Sequence, residues 1–206
     1  VRLHPILRRG AGYTGAMLDV VKGTRDDWFR PTDACVAPDG SLFVSDWYDS
    51  VIGGHGMNDP GRGRIFRIVP RGSDGAYRVP GHSFESAHEK VRALASPCVS
   101  VRHRARESLL SGDARATASL GDLFMNHEKP TWLRARALWI LGGMPELGKR
   151  YLDRALIDDE PEIRIVALRL ARRLRLDLQP YLRRLVGARA PAVRSACAIA
   201  LHTLHD

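Results

Sequence analysis

Two spacings of apolar residues divide this chain. Up to about residue 80, apolar and polar positions alternate in short runs, the period-two pattern of strands. Thr32-Asp33-Ala34-Cys35-Val36-Ala37 reads as one such run, closed by the turn Pro38-Asp39-Gly40. In that turn proline fixes φ, aspartate bonds its own backbone and glycine accepts positive φ. Ser41-Leu42-Phe43-Val44-Ser45-Asp46 follows, with Leu42 and Val44 on one face. Arg64-Ile65-Phe66-Arg67-Ile68-Val69 places Ile65, Arg67 and Val69 on one face and Phe66 and Ile68 on the other. A further strand over Ala16–Val21 completes a predicted four-stranded antiparallel meander, interrupted by the glycine-rich insertion Tyr48–Gly63. One meander of this size buries too little to stand alone. It has the dimensions of a propeller blade, and a blade needs neighbours. Val1–Gly15, with Leu3, Ile6 and Leu7, is then expected to be the last strand of a preceding blade and its crossover.

Beyond a Gly-, Ser- and Pro-rich stretch the period becomes helical and a repeat emerges. Arg102-x-x-Ala105, Arg134-x-x-Ala137, Arg164-x-x-Ala167 and Arg194-x-x-Cys197 stand 32, 30 and 30 positions apart. Each follows a proline: Pro97, Pro130, Pro161 and Pro191. Leucine comes seven after the arginine in Leu109, Leu141 and Leu201, and Ala171 takes that place in the third copy. Proline suits a first helical turn, where its missing N–H has no intrahelical partner. Small residues at the alanine positions let paired helices approach. A repeat of this length predicts a solenoid of helix pairs. The first helices of successive pairs are expected within Ala114–His127, Gly148–Asp158 and Asp177–Gly187. The four arginines are expected to cap their helices or bridge neighbouring repeats, rather than to form a phosphate-binding ladder. The predicted fold class is therefore α+β in two modules: residues 1–72 a terminal blade region, 73–85 a linker and 86–206 an α-solenoid of about four helix pairs.

Charge adds less. The 206 residues carry a net charge of +9, divided as +2 over residues 1–84 and +7 over residues 85–206. Arginine supplies nearly all of it, since Lys22, Lys90, Lys129 and Lys149 are the four lysines. A solvated basic helix surface accounts for this excess better than a dedicated anion site. Cys35, Cys98 and Cys197 form neither CxxC nor zinc spacing, and their apolar neighbours predict buried free thiols. No run approaches the roughly 18 apolar residues of a membrane span. The chain opens on Val1, with its first methionine at Met17, so a piece of a longer protein is expected.

Several motifs are distinctive: Asp27-Trp28-Phe29-Arg30-Pro31-Thr32-Asp33, Ala37–Asp49, Gly53-Gly54-His55-Gly56-Met57 and Gly61–Ile68. Followed directly by the helical repeat, they resemble the end of the propeller in planctomycete-type membrane-bound dehydrogenases. Those proteins join a six-bladed propeller, similar to quinoprotein glucose and sorbosone dehydrogenases, to HEAT repeats and often to a haem-binding module. The helical half itself resembles short HEAT repeats. The resemblance implies a periplasmic or otherwise extracytoplasmic parent oxidising sugars or alcohols, with quinone and c-type haem as the parent's cofactors. No CxxCH occurs here, so no cofactor is expected within this segment, and the segment alone is not expected to be active.

Candidate chemistry sits in the blade. Asp46 and Asp49 end a strand and His55 lies in the glycine-rich loop; as catalytic candidates they would line a propeller mouth and accept a substrate proton or hold a cation. Arg30 and Arg64 are candidates to clamp the carboxylates of a quinone or an acidic sugar. Asp33, Asp59 and Arg62 are further polar candidates, and the same groups read equally as braces for the blade's turns. Trp28, Phe29, Trp47 and Tyr48 would pack blade on blade or form a sugar-stacking wall. No histidine pair stands at metal-ligand spacing, so no metal is expected. The expected partners are the other blades and, on the helical surface, a protein; that surface offers the alternative reading of a non-catalytic binding module. Nucleic acid is disfavoured, because Asp158-Asp159-Glu160 and Glu162 break up the basic surface.

Overall fold

The computed structural model describes residues 1–24, 28–48, 60–111 and 114–202. It forms two compact units: Val1–Pro5, Gly15–His82 and Ser96–Arg102 make the first, and Ile6–Thr14, Ser83–Ala95 and the residues from His103 onward make the second. Both antiparallel sheets and helices are present, so the chain is α+β.

The first unit is built on a three-stranded antiparallel sheet of β5 (Pro31–Val36), β6 (Leu42–Asp46) and β7 (Arg64–Ile68), in that order. The Pro-Asp-Gly turn joins β5 to β6, with Gly40 at φ +84°. Direct pairing sets Val44 opposite both Ala34 and Phe66, and Asp46 opposite Arg64. Alternation therefore puts Leu42, Val44 and Asp46 on one face with Phe66 and Ile68. Val44 is fully buried there. By contrast, all six residues of β5 are exposed.

The expected fourth strand of the meander does not join this sheet. Leu18–Asp19 (β4) instead pairs with Arg2–Leu3 (β1) in a separate two-stranded ribbon. Polar and charged residues hold it: the Val1 amino group donates to the Val21 carbonyl, and Asp19 bridges Arg2 and Lys22. Five of the six residues in Ala16–Val21 are apolar, so composition does not keep the segment from the sheet; the contacts of Val1 with Val21 and of Arg2 with Asp19 draw it to β1 instead. Ile6–Arg9 (β2) and Gly12–Gly15 (β3) form a second ribbon, turned at Gly10 with φ +60°.

Eight helices follow among the described residues: α1 (Ala87–Ala93), α2 (Val99–Leu110), α3 (Ala114–Met125), α4 (Thr131–Leu141), α5 (Gly148–Ala155), α6 (Pro161–Arg173), α7 (Gln179–Leu185) and α8 (Pro191–His202). Their starts follow local chemistry. Ser86 and Glu89 make a reciprocal capping box on α1. Pro161 and Pro191 each open a helix. Within the second unit α3 packs on α4, α5 on α6 and α7 on α8, while α4, α6 and α8 pack in series. The repeat positions form the core: Ala105, Ala137 and Ala167 are fully buried and Cys197 is 1% exposed. Leu109, Leu141 and Ala171 are also fully buried, whereas Leu201 is 44% exposed on α8, which packs against α6 and α7.

Between α4 and α5 the chain folds back tightly, and a Cβ on Gly148 would fall 2.4 Å from the Gly142 carbonyl oxygen. Glycine is needed there for a backbone-to-backbone approach. α6 ends in a Schellman motif, with Leu176 N–H donating to the Ala171 carbonyl and Arg175 N–H to that of Arg172. The left-handed position in this motif is held by Arg175, at φ 54°.

Candidate functional site

Asp46 is the most buried of the polar side chains on the sheet, with 1% of it exposed. Its Oδ1 accepts the Arg30 N–H at 2.6 Å. Its Oδ2 accepts Nε and Nη2 of Arg64, at 2.9 and 2.7 Å. The Trp47 N–H donates to the Arg30 carbonyl at 3.0 Å, closing the bridge between the two chain segments. A buried carboxylate needs such donors to offset its desolvation. Asp46 thus braces the approach to β5 against the start of β7.

Beside this brace lies a cleft of about 380 Å³ lined by Trp28, Tyr48, Gly61, Arg62 and Arg64. Gly61 and Arg62 belong to a single 3-10 turn, Pro60–Arg62, that delivers the chain into β7. Trp28 and Tyr48 meet with ring centroids 5.4 Å apart. The Arg62 guanidinium lies 5.2 Å from the Tyr48 centroid and donates to its hydroxyl at 3.3 Å. Arg30 stands 5.7 Å over Trp28. Guanidinium planes against aromatic faces suit a flat or anionic ligand.

The candidate residues therefore divide. Asp46, Arg30 and Arg64 converge on one point; Arg62 joins them across the cleft, and the 3-10 turn placing it carries no signal beyond Gly-Arg-Gly. Asp33 is elsewhere, bonding the adjacent Ala34 N–H at 2.7 Å. Asp49, His55 and Asp59 lie outside the described residues. The four aromatics do not make one wall: Phe29 packs edge-on against Phe66 at 5.6 Å, and Trp47 is 51% exposed. Among the described residues no three His, Cys, Asp or Glu side chains cluster as metal ligands would. No described helix is long and apolar enough to cross a membrane.

A second polar network was not foreseen. Asp39 accepts the Ser41 N–H at 3.0 Å and its hydroxyl at 2.6 Å, and Arg67 Nη2 at 2.7 Å. The Ser41 hydroxyl bond chiefly, with its N–H and Arg67, holds the Asp39 carboxyl below the usual carboxylate range. Arg67 also donates to the carbonyls of Gly75 and Ala76, at 2.7 and 3.2 Å, and lies 4.9 Å over the Tyr77 ring. Residues expected to begin a linker are thereby fastened to the sheet.

Three of the four repeat arginines bond within the helices' own architecture, whereas the buried Nε of Arg164 finds no hydrogen-bond partner among the described residues. Arg102 donates to the carbonyls of Ser96 and Pro97, and Arg194 to those of Ala188 and Arg189. Arg134, 1% exposed, donates to the Phe124 carbonyl at 2.8 Å and pairs with Asp158 at 2.5 Å. Arg164 is partly buried on α6. Cys98 and Cys197 are buried and all three cysteines are free, but Cys35 is exposed, because it lies on the outer strand β5.

Residues 17–72, which contain the three-stranded sheet, match the family described as a domain of unknown function, DUF7133. No curated protein and no solved structure matches the chain.

Proposed function

We propose that this chain is the closing part of a quinoprotein-dehydrogenase-like propeller joined to a HEAT-type solenoid, within a larger extracytoplasmic oxidoreductase of sugars or related alcohols. The observation that carries this reading is the imbalance of the sheet. One strand face buries Val44 completely, yet β5 is exposed along its whole length and Ile65 on β7 is 74% exposed. Three strands with so little cover are not self-sufficient, and further blades would supply the missing layer. What supports the solenoid half is that arginine and a small residue recur about every 30 positions and that α4 packs on α6 and α6 on α8.

The cofactor needs those other blades. Arg64 is already matched by Asp46, so the described residues do not by themselves form a two-arginine clamp for the carboxylates of a quinone. In this reading the Trp28–Tyr48 cleft contributes one wall of a shared mouth, and the solenoid is a scaffold between redox modules. The test is a longer chain carrying the preceding blades, assayed for sugar-dependent reduction of an artificial electron acceptor with added quinone. Turnover and quinone binding are expected. A folded longer chain that neither reduces the acceptor nor binds quinone or haem refutes the proposal.

A further inference from the structure

The helical unit carries a feature that its scaffold role leaves unused. A groove of about 540 Å³ runs between α3 and α5, lined by Gly121, Met125, Tyr151 and Ile157 with Arg150 and Arg154 on its rim. Gly121 opens it: a Cβ there would fall 2.6 Å from the Tyr151 hydroxyl. Tyr151 in turn packs edge-on against Phe124 at 6.0 Å, which fixes the groove wall. Met125 is 41% exposed and Ile157 62% exposed, so the groove presents apolar surface that folding does not cover.

Its charge is unbalanced. Asp153, which also lines the groove, is bridged by Lys149 at 2.8 Å. No carboxylate among the described residues bridges Arg150 or Arg154. On the other side of α3 a second groove of about 420 Å³ adds Arg92 and Lys129, again with no bridging carboxylate among the described residues. Asp122 lines both grooves and Glu89 attracts Arg92, so two carboxylates oppose these four cations. An apolar floor under a basic rim selects a ligand with apolar side chains and carboxylates at close spacing.

We propose that the α3–α5 groove docks an acidic amphipathic peptide segment of a partner protein. Its aliphatic or aromatic side chains would seat on Met125 and Ile157, and its carboxylates would pair with Arg150 and Arg154. Duplex nucleic acid fits less well, because the apolar floor has nothing to meet in a phosphate backbone and Asp122 would repel it. This inference rests on the scaffold reading but needs no dehydrogenase activity, so the two fail separately: one is read as binding, the other as turnover.

The experiment uses the full chain and fluorescein-labelled 15-residue peptides. One alternates Glu and Leu, a second replaces Glu by Gln, and a third replaces Leu by Ser. A 20-base-pair duplex and phosphatidylserine vesicles serve as competing anions. The Glu/Leu peptide is expected to bind at least tenfold tighter than either altered peptide, and to weaken as salt rises from 50 to 300 mM. R150E/R154E and I157S are each expected to weaken it about tenfold or more with unchanged circular dichroism; R189E, outside the groove, leaves it unchanged. No binding, binding untouched by the groove variants, or tighter binding of duplex or vesicles would overturn the proposal.

Discussion

Asp158→Ala tests the energetic centre of the helical unit. Asp158 sits in the turn before α6 with 3% of its side chain exposed, and it holds Arg134, 1% exposed, through Nη1 at 3.3 Å and Nη2 at 2.5 Å. The same carboxylate accepts the Glu160 N–H at 3.0 Å, so it also orders the entry to α6. Removing it leaves a guanidinium in the core with only the Phe124 carbonyl and ring for company. Breaking one partner of a buried pair costs about 3–5 kcal/mol. For a chain of this size that lowers the midpoint of thermal unfolding by roughly 6–20 °C. Arg134→Met should cost less than this, because Asp158 retains the Glu160 amide. The double variant should cost clearly less than the sum, with a coupling of about 2 kcal/mol or more. Urea unfolding followed at 222 nm measures all four corners of the cycle. Because the pair is buried, raising salt to 0.5 M should leave the loss nearly unchanged. Additive single effects, or a loss that salt abolishes, would show that the pair is a surface ornament and the reasoning wrong.

Other expectations follow from single positions. Gly148→Ala drives a Cβ against the Gly142 carbonyl, which is backbone and has little freedom to yield; a loss of about 1–3 kcal/mol in urea unfolding is expected. Arg175→Gly relieves a left-handed arginine and should stabilise by about 0.5–1 kcal/mol, seen as a midpoint rise of a few degrees. Asp39 has a lowered pKa, so its contribution is fully present above the unfolded value near 4 and is lost as pH falls through the folded value below that. The stability gap between wild type and Asp39→Asn should therefore be constant at neutral pH and close in acid; a gap that persists to pH 2 contradicts the network. Ellman's reagent should titrate Cys35 rapidly in the native chain, whereas Cys98 and Cys197 await unfolding. Burial raises the Cys197 thiol pKa, which slows its reaction further at pH 8.

The helical half was legible because its signals are local and repeated. Proline, arginine and alanine recur at fixed spacing, and burial of Ala105, Ala137, Ala167 and Cys197 follows from that spacing alone. What closes the core was not visible. Asp158 stands 24 positions from Arg134, in an acidic run that reads as solvated surface, yet its side chain turns inward. In the sheet, alternation placed Leu42, Val44 and Phe66 correctly, and the Pro-Asp-Gly turn named its own geometry. Alternation cannot say which partner a short strand finds, so Leu18–Asp19 pairs with Arg2–Leu3 rather than joining the sheet its pattern predicts. Arg30, Asp46 and Arg64 were marked as chemistry, but their convergence depends on the β6–β7 register and on a bulge between Pro31 and Asp33. The Trp28–Tyr48 cleft and the α3–α5 groove are tertiary surfaces, assembled from segments whose individual sequences carry no ligand signature.

The exposure of β5 has a practical meaning for anyone handling this chain in solution. Among the described residues no further strand pairs with the outer side of β5 or β7, so both flanks of the sheet are edges. Such margins recruit whatever extended chain is nearby, another copy included. Pro31 and Asp33 interrupt one margin and Arg64 and Arg67 charge the other, which tempers the tendency without removing it. Concentrated solutions should thus form edge-joined oligomers, and a fusion partner supplying one extra strand should keep the chain monomeric.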